Sequence, residues 1–565
     1  MNSNINNIFV SLPDILILHI IDHMETIDRI CFVLVCKRWW DRITKIMRFV
    51  IPPHVLTSKE RYSVASSSSF SSTSTSSVTI PSSSIKPLSN QLLTFVYLNS
   101  FKEVLERSTT NSFILEEITD DIPRDTGITH LYLSKSLNKP IPPMKIPPSV
   151  QYIDLGHLFD QPLSVGVLPP NLVTLKVSYN FAHRLEPGDL PASLQRLELG
   201  GLYNHPLELG LLPKGLKKVI LSDCYNHPIE EPGIIPEGVV YCFLGFKFNK
   251  HIPAGVLPNS VQSLKLPFQM ESELVPGSVP PNCTLLSIGR MYDSPIDEGI
   301  IPDTVTNLRI APQTLVIGET ITLPPRLTHL RCSFVSQPIT PSLIPPTVTH
   351  LVIDEISTAL PVGGIPNSVE YLTINSEFPS LESGSLPQNL RQLILESYNH
   401  PIEEEVLPNS LQTLELHQYN YPLPQLPQSL TKLHLSNRVY SSELNLPPSI
   451  KHFTIRSEII KLSSIQLPVN LEQLGVFYDF NSSLPISKIL NTHINKLTVI
   501  IKNRFGFGQL TYDIRQLNQS HILFVEDSKM LIAGMIPTKN DIDVLGSFIG
   551  PKTYDISNNY SLRES

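Results

Sequence analysis

A proline recurs along most of this chain at nearly constant intervals. Sixteen times a Leu, Ile or Val is followed by this proline, at a spacing of 22 residues early in the chain and mostly 21 later, with extremes of 19 and 23. The sixteen prolines are Pro147, Pro169, Pro191, Pro213, Pro236, Pro258, Pro280, Pro302, Pro324, Pro345, Pro366, Pro387, Pro408, Pro427, Pro447 and Pro468. Self-similarity at this period is the signature of a stacked repeat architecture.

Other positions in each repeat keep the same period. Below, position n denotes the residue n places after the repeat proline. Positions three, six and eight are apolar in all sixteen repeats, as in Leu194, Leu197 and Leu199. Positions six and eight lie on one face of a short strand, which cannot bury that face alone and must pair in parallel with the copy in the next repeat.

Two further repeats without the proline extend the array. One lies in register before Pro147 and one after Pro468, at Ile128–Leu133 and Ile494–Val499, so we expect about 18 turns of 21–22 residues over residues 125–499. The return half of many repeats contains an aromatic-Asn-x-Pro motif, as in Tyr203 to Leu207. Proline disfavours a helix there, so the predicted fold class is mainly β, a parallel β-solenoid.

The repeat unit resembles a known family. Tyr-Asn-His-Pro-Ile, often followed by Gly-x-Leu/Ile-Pro-x-Ser/Asn-Leu/Val-x-x-Leu-x-Leu, is similar to the FNIP repeat, a relative of the leucine-rich repeat. The resemblance covers roughly two thirds of the chain and implies a leucine-rich-repeat-like solenoid. The repeats around Ile310–Leu323 and Arg438–Leu446 lack the Asn-x-Pro element, so those turns are expected to be looser or bulged.

The first 56 residues have a different pattern. Pro13 is placed to start a helix with apolar residues at helical spacing, and a second apolar run leads into Cys36-Lys37-Arg38-Trp39-Trp40. This order resembles the F-box, a helical module that docks on a Skp-type adaptor of cullin-RING ubiquitin ligases. The resemblance implies adaptor-binding roles for Leu12, Pro13, Ile15, Leu16, Ile20, Leu34, Val35, Cys36, Lys37 and Trp39. The alternative is that these helices only cap the solenoid or form a coiled pair.

The composition of the remaining segments predicts a linker and two caps, and the net charge limits the kind of partner that the chain can bind. Sixteen of 22 residues between Ser63 and Ser84 are Ser or Thr, which predicts a flexible linker over 57–87. We expect an N-terminal cap over 88–124, in which segments such as Leu92–Leu105 have helix-like patterning, and a C-terminal cap and tail over 500–565 that includes strands at His521–Glu526 and Met530–Ile536. The net charge of −8 disfavours nucleic acid as a partner.

The sequence also indicates a compartment. It shows no signal peptide and no membrane-spanning run, so we expect an intracellular protein, in the cytoplasm and also the nucleus, that does not bind membranes. Cys242, Cys283 and Cys332 fall on core positions, and the six cysteines form no obvious pairs, which favours a reducing environment.

Motifs for catalysis are missing from the sequence. There is no Gly-rich phosphate loop, nucleophile elbow or paired cysteine cluster, so we expect a non-enzyme without cofactor or metal. The recurrent Asn-His pairs, such as Asn204-His205, favour backbone hydrogen bonding at the bend over metal ligation. A β-helical enzyme such as a polysaccharide lyase is disfavoured, because no outward cluster of acids and bases recurs.

Two functions remain open. In the first, the F-box-like module holds a ubiquitin ligase and the solenoid selects a target protein; in the second, the chain is an interaction scaffold with no ligase link. Positions five and seven should face outward from the solenoid sheet, and most are polar. Two neighbouring repeats depart from this polar pattern, with Lys218 and Ile220 in one and Tyr241 and Phe243 in the next. A second, more basic cluster consists of His329, Arg331, His350 and Val352. We predict that these eight residues form a target-binding surface. The alternative is that the return loop or the flexible linker folds over Tyr241 and Phe243.

Overall fold

The computed structural model describes most of the repeat array and parts of its flanks. The described residues are 112–115, 117–118, 122, 128–134, 136–311, 317, 319–335, 337–435, 444–456, 467–478, 496–502, 509–518, 521–526 and 533–537. The chain divides into two units, one comprising residues 111–450 and 465–468, the other the remaining residues on both sides. None of the described residues lies in a helix, and therefore none lies in one that could cross a membrane.

The first unit is a parallel ladder of short strands. Its strands are β1 (Ser112–Leu115), β2 (His130–Leu133), β3 (Tyr152–Asp154), β4 (Thr174–Lys176), β5 (Arg196–Glu198), β6 (Lys218–Ile220), β7 (Tyr241–Phe243), β8 (Ser263–Lys265), β9 (Leu285–Ile288), β10 (Asn307–Ile310), β11 (His329–Val335), β12 (His350–Ile356), β13 (Tyr371–Ile374), β14 (Gln392–Leu395), β15 (Thr413–Leu416) and β16 (Lys432–Leu435). Each strand pairs in parallel with the next one in sequence. The predicted parallel β-solenoid is thereby confirmed, and β2–β16 provide fifteen of its turns.

The strand register follows the repeat. Leu197 pairs with Leu175 on one side and Val219 on the other, so that position six stays aligned through consecutive turns. The strands begin at position five, one residue earlier than the predicted six-to-eight segment. In β3–β8 they end at position seven, and position eight, such as Leu199, is buried just beyond the strand.

The core lies between the strands and the return segments. Positions three, six and eight are buried throughout the first unit, as predicted. The aromatic residue of the return half is also buried, and Phe181 stacks on Tyr203 with 6.3 Å between ring centroids. Cys242, Cys283 and Cys332 are buried core residues, and burial raises the pKa of their thiols to about 11 to 12.

One irregular turn falls where the repeat lacks its Asn-x-Pro element. Ile296 and Ile317 each form an isolated parallel bridge with Ile321, a pairing that does not recur elsewhere among the described residues.

The N-terminal cap contains a strand that the sequence did not predict. Helix-like patterning was expected for segments of the cap such as Leu92–Leu105, which lies outside the described residues, whereas β1 lies later in the 88–124 range and pairs with β2 in the solenoid register. Leu115, at the end of β1, is fully buried. A short strand with a buried apolar residue extends the ladder without the repeat proline, because that proline lies outside the strand.

The second unit contains six described strands. They are β17 (His452–Arg456), β18 (Gln473–Tyr478), β19 (Lys496–Lys502), β20 (Gln509–Asn518), β21 (His521–Glu526) and β22 (Ala533–Pro537). The first three are parallel, corresponding to the last three predicted turns, while β19–β22 pair antiparallel. The strand predicted at His521–Glu526 is β21, and β22 overlaps the strand predicted at Met530–Ile536, while β20 was not predicted.

Several predicted features lie outside the described residues. These are the F-box-like module over 1–56, the linker over 57–87 and the residues beyond 537. The helix-like segment Leu92–Leu105, Cys31 and Cys36 also lie there.

Candidate protein-interaction surface

The outward-facing side of the parallel strands in the first unit is a regular surface that the repeat creates. Side chains alternate between the two faces of a strand, so positions five and seven face away from the core. In β13, Leu372 and Ile374 are buried while Tyr371 and Thr373 are half-buried. We call the face formed by positions five and seven the outer face.

Two lysines and three aromatic residues form a compact group on the outer face at β6–β8. The ammonium of Lys218 lies over the Tyr241 ring, 4.8 Å from its centroid, and that of Lys265 lies over the Phe243 ring at 4.3 Å. Lys265 is also 5.7 Å from the centroid of Phe246, which meets Phe243 edge to face at 5.7 Å. We call these five residues the aromatic–lysine patch.

Strand register explains why these side chains meet. Lys218 and Tyr241 occupy position five of adjacent strands, and Phe243 and Lys265 occupy position seven of adjacent strands. Ile220 pairs directly with Phe243, so this predicted site residue lies beside the patch. The structure therefore brings together all four residues predicted around Tyr241 and Phe243.

The exposure of Phe243 corrects one expectation. Its side chain is only 7% exposed, because Lys265 and Phe246 cover it, whereas Phe246 itself is 43% exposed. The accessible aromatic side chain of the patch is therefore Phe246, with Phe268 next to it at 6.3 Å. Neither Phe246 nor Lys265 was among the predicted site residues.

Charges around the patch are predominantly positive. Partial burial lowers the pKa of the Lys265 ammonium, and the nearby Arg309 guanidinium acts in the same direction, while Asp223 opposes it. Burial raises the pKa of the Asp223 carboxyl, against the influence of Lys265 and Lys247. Among the described residues, no carboxylate forms an ion pair with Lys218 or Lys265.

The second predicted cluster contains a stack of three rings. His329 lies on His350 with centroids 4.0 Å apart, and His350 lies on Tyr371 at 4.2 Å, each pair within 14° of parallel. Thr328 and Thr349 each place their hydroxyl oxygen 2.9 Å from Nδ1 of the following histidine. Burial lowers the pKa of the His350 imidazole, as does His329, with Glu370 opposing.

Arg331 is not the free cation that its sequence position suggested. Its Nε and terminal nitrogen donate to the two carboxylate oxygens of Asp354 at 3.1 and 2.8 Å. Asn375 donates to the same carboxylate at 2.8 Å. Val352 is half-buried and pairs directly with Arg331 in the strand register. This cluster is therefore closer to neutral than the predicted basic surface.

A third group of charges lies on and next to β15 and β16. A hydrogen bond from His417, together with Lys432, whose ammonium is 2.7 Å from Oε1, holds the pKa of the Glu415 carboxyl below its usual range. Burial lowers the pKa of the neighbouring His434 imidazole to about 4. The rings of His417 and His434 lie 4.5 Å apart.

The Asn-His motifs hold the return segments together. Oδ1 of Asn204 accepts the backbone N–H of Asn226 in the next repeat, and Nε2 of His227 lies 3.0 Å from the Asn204 carbonyl oxygen. These contacts are the backbone hydrogen bonds that the sequence favoured over metal ligation. Among the described residues, no group of three or more His, Cys, Asp or Glu side chains is arranged to hold a metal ion.

All ten predicted adaptor-binding residues, from Leu12 to Trp39, lie outside the described residues.

Comparison with known families identifies both parts of the sequence. The F-box domain model matches residues 9–45, a range that contains all ten predicted adaptor-binding residues. The FNIP repeat model matches residues 118–158, 159–202, 179–224, 203–247, 225–269, 271–311, 336–377 and 379–419. No curated protein sequence matches this chain.

The solved structures that are similar to part of the chain include a leucine-rich-repeat protein. It is described as the crystal structure of CroV588, a novel circular LRR protein, and has a TM-score of 0.47 and 23% sequence identity. The alignment covers 66% of this chain and 62% of that chain, which is less than two thirds of that protein's length.

Proposed function

Since this chain combines an F-box domain with FNIP repeats, we propose that it is a non-catalytic substrate-recognition subunit of a cullin-RING ubiquitin ligase of the SCF type. In this function the F-box docks on a Skp-type adaptor and the solenoid holds a target protein. The observation that carries the proposal is the presence in one chain of an F-box at 9–45 and a long solenoid with an outward-facing sheet. No cofactor is required, because the ligase partners supply the chemistry.

The adaptor contact is assigned to the F-box match. Leu12 and Pro13 lie at the start of the first predicted helix of the match, and Trp39 follows its second apolar run. Aromatic side chains on a small module are favoured anchors for a partner. The cytoplasm and the nucleus are the proposed compartments.

The target contact is assigned to the outer face of the first unit. The predicted residues at β6–β7 and at β11–β12 remain the proposed contacts, with Phe246 and Lys265 added on the basis of their positions beside Phe243. A half-buried aromatic group flanked by cationic side chains is typical of binding hot spots.

The test is a pull-down of a purified Skp-type adaptor by the full-length chain. Replacing both Leu12 and Pro13 with alanine should reduce adaptor capture at least tenfold, because the apolar contact of the first helix is lost. The control is Val165→Ala, an exposed position on the solenoid, which should leave capture unchanged. Equal capture by the double variant and the wild type would refute the F-box assignment.

The second candidate is an interaction scaffold without a ligase link. The outer face of the solenoid supports partner binding in either case, so the adaptor experiment separates the two functions. A chain that captures no adaptor but retains target proteins would be such a scaffold.

A further inference from the structure

The two lysines of the aromatic–lysine patch rest on aromatic rings. Lys265 lies 4.3 Å from the Phe243 centroid, and Lys218 lies 4.8 Å from the Tyr241 centroid. Neither lysine forms an ion pair within the described part of the chain. Both ammonium groups are thus held by contacts weaker than the charge-assisted hydrogen bonds that a carboxylate would offer.

The relative strengths of these contacts determine how the patch responds to an anion. A cation–π contact at an exposed site is weaker than a charge-assisted hydrogen bond between an ammonium group and a carboxylate. A carboxylate brought close to Lys265 would therefore draw the ammonium away from the ring. Movement of Lys265 would uncover the face of Phe243 beside Phe246.

The uncovered surface would be apolar and already bounded on one side. Phe246 meets Phe243 edge to face and is followed by Phe268 at 6.3 Å, so three aromatic rings line one edge of the site. Ile220 pairs with Phe243 on the opposite side. An aliphatic or aromatic side chain of a partner would find contacts on both sides there.

The charges near Lys265 favour an acidic partner. Arg309 occupies position seven two strands away, about 10 Å by strand spacing, with the small Ser287 between them in register. Arg309 is exposed and also forms no ion pair with the described residues. The Asp223 carboxylate interacts electrostatically with Lys265 and Lys247 without forming an ion pair, and Lys218, Lys265 and Arg309 form a local group of cations in a chain whose net charge is −8.

We infer that the aromatic–lysine patch binds an extended acidic segment of a protein partner, whose carboxylate pairs with Lys265 while an adjacent apolar side chain occupies the uncovered face of Phe243. Lys218 and Arg309 provide further contacts for carboxylates on either side of it. This inference deepens the proposed function, since it specifies the chemistry of the target segment that the outer face would hold.

The experiment uses a random library of twelve-residue peptides displayed on phage, selected on the immobilised full-length chain. The wild type should enrich peptides in which Asp or Glu lies next to an aromatic or aliphatic residue. Lys265→Glu should shift the enrichment from acidic to basic residues, and Lys265→Met should abolish the acidic preference while the apolar preference remains. Lys139→Glu, the same charge change at an exposed lysine outside the patch, should select the same peptides as the wild type.

The most enriched peptide is then measured by fluorescence polarisation. We expect Lys265→Met and Phe246→Ala each to weaken its binding at least tenfold, with the melting temperature of each variant close to that of the wild type. Lys218→Glu serves as a second, independent charge reversal in the patch. The inference is overturned if no acidic peptide is enriched, or if Lys265→Glu selects and binds the same peptides as the wild type.

The result of the peptide experiments can be distinguished from the result of the adaptor experiment. No adaptor is present during the selection, and the Leu12→Ala, Pro13→Ala double variant should bind the peptide as tightly as the wild type. A wild-type chain that captures the adaptor but binds no acidic peptide would contradict this inference alone. A wild-type chain that binds the acidic peptide but captures no adaptor would contradict the proposed ligase function alone.

Discussion

The hydroxyl oxygen of Tyr419 accepts the backbone N–H of Ile402, in the preceding repeat, at 3.1 Å. The same hydroxyl donates to the Pro422 carbonyl at 2.9 Å, so one fully buried side chain joins two consecutive return segments. Tyr398 makes the equivalent contact to Leu381 at 3.0 Å. The tyrosine of the aromatic-Asn-x-Pro motif therefore does more than fill the core, because it also satisfies a backbone donor that proline-rich segments leave without a strand partner.

Tyr419→Phe should lower the free energy of unfolding by about 1–3 kcal/mol, because it leaves the buried N–H of Ile402 without its acceptor. The measurement is chemical denaturation followed by circular dichroism. The control is Tyr421→Phe, which removes a hydroxyl from an exposed neighbour and should change stability by less than about 0.5 kcal/mol. Equal effects of the two substitutions would show that the buried hydrogen bond contributes nothing measurable.

Gly200 should not tolerate alanine. A Cβ atom at this position would lie 1.5 Å from the carbonyl oxygen of Ser178 in the preceding repeat, so the backbone of one repeat would have to move. Overpacking of this kind costs about 1–3 kcal/mol, and we expect a loss at the upper end of that range in a thermal unfolding experiment. Gly299→Asn is the comparison, because Gly299 has a φ of 87° with no atom near its Cβ position, and asparagine tolerates that conformation. A milder effect at Gly200 than at Gly299 would contradict the close approach.

Acid should destabilise the first unit through His434. Burial lowers the folded-state pKa of this imidazole to about 4, below the value of about 6.5 expected for an unfolded chain. The unfolded chain therefore binds the proton first, so stability is full above about pH 6.5 and decreases as the pH falls to about 4. Between pH 7.5 and pH 5 the loss is about 2 kcal/mol.

The corresponding measurement is the unfolding midpoint at pH 7.5 and pH 5 for His434→Gln, which should show a smaller difference between the two pH values than the wild type. His251→Gln, at an exposed histidine, is the control and should match the wild type. Glu415 titrates in a lower range, because its pKa is depressed by His417 and Lys432, so stability that depends on it is lost only on further acidification. An unchanged pH difference in His434→Gln would contradict this assignment.

The two phenylalanines of the aromatic–lysine patch should separate stability from binding. Phe243 is nearly buried, so Phe243→Ala should lower the free energy of unfolding by about 3 kcal/mol. Phe246 is substantially exposed, so Phe246→Ala should change stability by less than about 1 kcal/mol while weakening capture of the selected acidic peptide. The melting curves and peptide affinities of the two variants check this directly, and a large loss of stability in Phe246→Ala would mean that its ring is internal packing.

Much of the fold could be predicted from the sequence because the repeat fixes which residues are buried. Every repeat has an apolar pair two residues apart, such as Leu197 and Leu199, and only a parallel ladder buries all of these pairs. The strand β1 was missed because it lacks the repeat proline that set the register elsewhere. The last predicted turns, β17–β19, are present as parallel strands but belong to the second unit.

The candidate surface could be predicted only in part, because its contacts depend on neighbouring repeats. Tyr241 and Phe243 were recognised as apolar residues at outward positions, but the position of Lys265 over Phe243 follows from strand pairing and side-chain conformation. Phe246 lies at position ten, outside the strand that the pattern described. The pairing of Arg331 with Asp354 was missed for a similar reason, since Asp354 lies at position nine of the following repeat.

The central claim is that one chain couples an adaptor to a target through its F-box and its solenoid. The most direct measurement is the molar mass of the purified full-length chain, 63.3 kDa, mixed with a purified Skp-type adaptor in size-exclusion chromatography with light scattering. We predict a one-to-one complex that the Leu12→Ala, Pro13→Ala double variant fails to form and that Lys265→Glu forms normally. A wild-type chain that remains at its own mass in the presence of excess adaptor would contradict the account.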